Sequence, residues 1–129
     1  MNKAPDLEIY VAGINVEQSL EWLNQLFTQV TKTKKMKGMP KQAFPFSFEY
    51  ENVSYEGIIY DRVADGFTSI WLNSQNLPWQ DDLEWANLAA KTLGKEVRVT
   101  AGGWDQNQDP DAWMSVSPDS TTTQIIWKT

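Results

Sequence analysis

The 129-residue sequence contains neither cysteine nor histidine. Without cysteine there are no disulfides, thiolate metal ligands or thiol nucleophiles. Without histidine, the commonest general base, the commonest metal ligand and the usual partner of a nucleophilic serine are missing. Zinc sites of the His/Cys type and two-histidine iron sites are excluded with them. No apolar run approaches the roughly 18–20 residues that span a bilayer. Asp6 and Glu8 fall where a secretory leader would be apolar. Gly102-Gly103 belongs to neither phosphate-binding pattern, GxGxxG or GxxxxGK. Together these absences imply a cytoplasmic, non-enzymatic protein with no cofactor and no metal, since a cysteine-free domain suits a reducing compartment.

What is present describes an ordinary folded chain with an uneven charge. A hydrophobic fraction of 41% against 22% charged residues is enough for a real core, so one domain over residues 1–129 is expected. The net charge is −6. Residues 1–31 carry four acids against Lys3, and residues 42–129 carry thirteen acids against five cations. Between them, Lys32, Lys34, Lys35, Lys37 and Lys41 occur without an acid, in a basic loop placed at 31–43. Most of the surface should therefore repel nucleic acid and anionic membrane and attract basic proteins. The lysines have no interleaved aromatics, and cations just after a helix suit its negative end, so they read as a solvated loop.

Leu7, Ile9 and Val11 alternate with Glu8 and Tyr10 as in a half-buried strand. Asn15 and Gln18 have capping-box spacing. Val16, Leu20, Leu23, Phe27 and Val30 then form one stripe, predicting a helix over 15–31. The segment from Phe44 to Trp71 reads as three strands, turning at Glu51-Asn52 and Asp65-Gly66. A second helix runs through WQDDLEWANLAAKTLG, with acids at its start, a ridge of Leu83, Ala86, Ala90 and Leu93, and Gly94 past its end. Strands begin at Val97, Trp113 and Gln124. The order β-α-β-β-β-α-β-β-β implies an α+β fold, an antiparallel or mixed sheet with two helices packed on one face. That order is similar to the βαβββ modules of the glyoxalase-like metal enzymes. Their sites are built from histidines and glutamates, so the likeness extends to element order alone.

The stretch GGWDQNQDPDAW, residues 102–113, sets acids between two tryptophans. Asp105, Asn107, Asp109 and Asp111 match the first ligands of an EF-hand loop. The sixth position then holds Pro110 in place of glycine, and the twelfth holds Val116 in place of glutamate. A polar turn is the better reading. Seven tryptophans are a surplus for this length. Trp71 and Trp127 alternate with apolar neighbours and read as buried, whereas Trp79, Trp85, Trp104 and Trp113 lie near the second helix or in loops. These four, with Asp105, Asp109 and Asp111, are the candidate partner-binding residues, because indoles anchor protein interfaces and acids steer encounter. The expected function is binding of a basic protein, in the manner of inhibitors and immunity proteins. The alternative is a small-molecule or carbohydrate site lined by tryptophan between sheet and helices. Catalysis by paired carboxylates would need two acids to converge in a cleft, which the sequence does not show.

Overall fold

The computed structural model describes residues 5–101 and 109–128. Eight strands and two helices follow in the order β1 (Leu7–Ala12), α1 (Val16–Leu26), β2 (Thr28–Lys32), β3 (Ala43–Tyr50), β4 (Val53–Ala64), β5 (Phe67–Leu72), α2 (Asp82–Leu93), β6 (Val97–Thr100), β7 (Ala112–Val116) and β8 (Thr122–Ile126). The strands form one sheet ordered β2-β3-β4-β5-β1-β6-β7-β8, antiparallel at every described pairing. The fold is α+β.

Local chemistry accounts for most boundaries. Asn15 accepts the Gln18 N–H while the Gln18 side chain accepts the Asn15 N–H, so the capping box starts α1. Asp81 caps α2 by accepting the Glu84 N–H, and Gly94 ends it in the left-handed conformation. Both tight hairpins place two consecutive residues at positive φ, Glu51-Asn52 and Asp65-Gly66, the backbone of a type I′ turn.

The first helix departs from its expected span. It stops at Leu26, and Thr28–Lys32 forms a strand against β3, so residues 28–32 of the expected helix and basic loop are sheet. Thr28, Val30 and Thr31 are β-branched, which lowers helix propensity and favours a pleated strand. Phe27 and Val30 fit the helical stripe, but Val30 and its neighbours also fit a period of two, and β3 decides between them. The additional strand makes the first half β-α-β-β-β-β, unlike the βαβββ order.

Leu7, Ile9 and Val11 are buried with Phe46, Phe48, Ile59, Ile70, Leu72, Val97 and Val99. Side chains of both helices join this cluster, among them Trp22 and Leu23 from α1 and Trp85, Ala86 and Ala90 from α2. The alternate residues of the strands build a second, smaller cluster of Phe67, Trp113 and Trp127, packed with Tyr10 and Ile125. Its geometry shows that the sheet curls. β8 lies four positions from β5, about 19 Å in a flat sheet at about 4.8 Å per strand. Yet the Phe67 and Trp127 rings are 4.9 Å apart, and Trp127 Nε1 donates to Asp65 Oδ2 at 2.7 Å. Arg98 lies over both rings and pairs with Glu96. Among the described residues, no helix is long and apolar enough to cross a membrane.

Candidate functional site

Alternation on β1 sends Asp6, Glu8 and Tyr10 to the side opposite Leu7, Ile9 and Val11. The registers Glu8↔Trp71, Trp71↔Ile58 and Ile58↔Pro45 then place a row across four strands on that side. Trp71, Ile58 and Pro45 are half-buried, and Glu56, two residues before Ile58, is exposed. Trp71 Nε1 donates to Asp6 Oδ2 at 2.7 Å, and Ser69 Oγ donates to Glu8 Oε2 at 2.9 Å.

A third carboxylate arrives from the start of α2. Ala12 N–H donates to the Glu96 carbonyl oxygen, just before β6, so the Glu8 N–H, four residues earlier, faces the same way. The β1–β6 ladder includes Tyr10 and Val11 but does not reach Glu8. Asp82 Oδ1 accepts that N–H at 3.1 Å, where the neighbouring strand has diverged. Burial pushes the Asp82 carboxyl up to about 6; the Glu8 N–H bond opposes this, and the charges of Asp6, Glu8 and Asp81 add to it. Burial likewise raises Glu8, with Ser69 opposing and Asp6 adding. Burial, then the Glu8 charge, raises the Tyr10 phenol. Neither ion pair among the described residues, Lys32–Glu17 or Arg98–Glu96, reaches these acids. No group of three or more acids among them is arranged to hold a metal ion. The arrangement gathers carboxylates with no cation paired to them among the described residues.

Because the folded-state pKa of Asp82 lies above its ordinary 3.8, the folded protein holds more protons than the unfolded chain between about pH 4 and 6. This contribution favours folding below that window and is lost as pH rises through it. Asp82→Asn, which keeps the acceptor for Glu8 N–H, is therefore expected to raise Tm at pH 7 and to lose that advantage below pH 4. A Tm–pH series on both proteins checks this; a constant offset would remove Asp82 as the titrating group.

The tryptophans expected at the surface are placed otherwise. Trp85 is fully buried and stacks on Trp22 at 5.7 Å and on Trp79 at 5.6 Å. The buried face of α2 is Trp85, Ala86, Ala89 and Ala90, turned from the Leu83-Ala86-Ala90-Leu93 ridge, because three small side chains make room for the indole. Trp79 is half-buried, edge-on to Phe27. Trp113 is a strand residue, buried against Tyr10 and Trp127. The structure thus puts Trp79 and Trp85 in one cluster and Trp113 in the other. Trp104 and Asp105 lie outside the described residues. Asp109 and Asp111 stay together in a turn, with Asp109 Oδ1 accepting the Asp111 N–H at 2.8 Å, and Val116 is a strand residue of β7. Trp22, Trp79 and Trp85 pack on one another in the space between sheet and helices. A shallow groove of about 210 Å³ opens outside them, lined by Gln18, Glu21, Trp22, Gln25, Thr92 and Leu93.

Trp71, expected to be buried, is the half-exposed indole beside the acids. Both columns of β5 are largely apolar, so alternation does not decide which one faces the core. Asp6 and Glu8 had a usable signal: two acids at i and i+2, out of phase with Leu7, Ile9 and Val11.

No protein-family model, curated protein or solved structure matches this chain.

Proposed function

We propose that the protein is a small non-enzymatic binding module for a basic protein, of the inhibitor or immunity kind, working in the cytoplasm. The observation carrying this reading is the convergence of Asp6, Glu8 and Asp82 beside half-exposed Trp71, with no described cation among them. In this reading both helices pack on the other face of the sheet, and the part of this face around Trp71, Ile58 and Pro45 is left for a partner. Carboxylates that repel one another in a partly desolvated place gain more from an incoming cation than scattered surface acids do. Trp71, with Ile58 and Pro45, supplies the apolar area an interface core needs. The chain's charge of −6 would steer the encounter.

The triple variant Asp6→Asn, Glu8→Gln, Glu56→Gln is the test. From lysate of the source organism, the tagged wild type is expected to retain one basic protein stoichiometrically and release it over a salt gradient. With that protein purified, the triple variant is expected to associate about tenfold more slowly at low salt, the difference shrinking as salt rises. Equal rates for the two proteins at low salt would rule this face out.

A further inference from the structure

We propose that β8 is the contact edge of a two-fold homodimer, in which the Thr122–Ile126 strands of two copies pair antiparallel and join both sheets into one. The two outer strands of the sheet differ in how they are protected. β2 has a register shift between Thr28 and Thr31, Gln29 at φ 54°, and Lys32 at its end, with Lys34, Lys35 and Lys37 following. Bulges and lysines are how sheet edges avoid pairing with other chains. β8 has neither. Residues 121–127, TTTQIIW, carry no charge, proline or glycine, and the β7–β8 ladder is regular. Ile126, 55% exposed, is one of few large exposed apolar side chains among the described residues.

The free groups on this edge can be named. Trp127 N–H donates to Asp111 O, and Thr121 O accepts from Ser117 N–H, so the odd-numbered residues face β7. By strand alternation, the N–H and C=O groups of Thr122, Gln124 and Ile126 point away from the sheet. A two-fold axis at Gln124 sets Gln124 against its own copy and Thr122 against Ile126 of the second copy. All three outward residues of both chains are then used. The same register brings Lys128 level with Asp119-Ser120 of the second copy, an ammonium near a carboxylate at each end of the pair.

A second copy fits this edge better than a foreign strand. The two-fold removes both unprotected edges at once and leaves β2, with its bulge and lysines, at both ends of the joined sheet; a foreign strand would become a new open edge. The repulsion between two chains of charge −6 is least here, because no charges meet within 121–127. This pairing is independent of the acidic face.

Sedimentation velocity from about 10 μM to about 1 mM covers the range in which so small a contact dissociates. The expected result is a mass rising from 14.8 kDa toward twice that value. Gln124→Pro removes an outward N–H and leaves the β7 ladder intact, and Gln124→Lys adds the missing edge charge; each is expected to weaken dimerisation at least about tenfold. Amide exchange supplies a readout without mutation. Thr122, Gln124 and Ile126 should become protected as concentration rises, while Thr123 and Ile125 are protected throughout. If the proline variant does not fold, the lysine variant and amide exchange decide. A monomer at every concentration, a dimer indifferent to Gln124→Lys, or concentration-dependent protection confined to other strands would each overturn the proposal.

Discussion

Trp85→Ala is expected to lower the folding free energy by about 3–5 kcal/mol, the range for emptying a buried tryptophan site. Against a typical total of about 5–15 kcal/mol, this brings the chain close to the unfolding threshold. Trp85 is fully buried between Trp22 and Trp79. Trp22 in turn holds α1 to α2 by donating its Nε1 to Thr92 Oγ1 at 2.9 Å. Truncation thus removes the middle ring of a stack joining α1, α2 and the segment that leads into α2, and alanines at 86, 89 and 90 offer little to fill the space. Trp85→Phe is the informative control. Among the described residues the buried indole Nε1 has no hydrogen-bond partner, so the smaller ring forfeits area but no bond seen there. Urea unfolding of both variants should separate them by about 2 kcal/mol or more. Equal losses would mean that a smaller ring recovers nothing, so that the loss does not follow the volume left empty.

The second large effect is expected at Gly57. It sits opposite Phe46 on the neighbouring strand, in the half of the sheet that lies over the larger core. A Cβ at this position would lie 2.5 Å from both Phe46 Cζ and the Trp71 carbonyl oxygen. The first neighbour is the ring of a buried side chain and the second is backbone, so neither can yield cheaply. Gly57→Ala should therefore cost about 3 kcal/mol, on the order of 10 °C in Tm, and Gly57→Val more. The physical reason is aromatic cover, since the Phe46 ring lies over the bare glycine backbone. Pairing Gly57→Ala with Phe46→Leu is expected to recover part of the loss in a thermal melt. Strict additivity of the two changes would show that the carbonyl, not the ring, sets the limit.

How much could be read from the residues follows the range of the interactions involved. The cap at Asn15, the acids at the start of α2, the Gly94 stop and the turns at Glu51-Asn52 and Asp65-Gly66 are decided within four residues, and all stand where the sequence places them. β2 is different. Phe27 and Val30 lie on the helical stripe, and only the presence of β3 some fifteen residues later makes Thr28–Lys32 a strand. The face that Trp71 takes was hidden by the apolar character of both columns of β5. The acidic site was legible in part: Asp6 and Glu8 share a face by alternation, and Asp82 belongs to a helix start for electrostatic reasons. Their convergence depends on β1 lying beside α2, which no local pattern encodes. Trp113 shows the same limit. Its surroundings are a curl of the sheet that brings residue 127 to residue 65.

The position of β1 in the sheet has a consequence for how the chain assembles. β1, the first of the described strands, is an interior one, flanked by β5 and β6. Leu7 must wait for Leu72, and Val11 for Val97. The consecutive hairpins β3–β4–β5 can form with short loop closures, but β1 can join them only after some sixty residues have followed it. The C-terminal hairpin β7–β8 comes last, and only then can the Trp127–Asp65 contact close. A chain whose interior strand is captured late has a high contact order, and such topologies fold in milliseconds to seconds, not microseconds. Until that capture, both backbone edges of Leu7–Ala12 stand unpaired, which makes this hexapeptide the segment most in need of protection while the protein is being made.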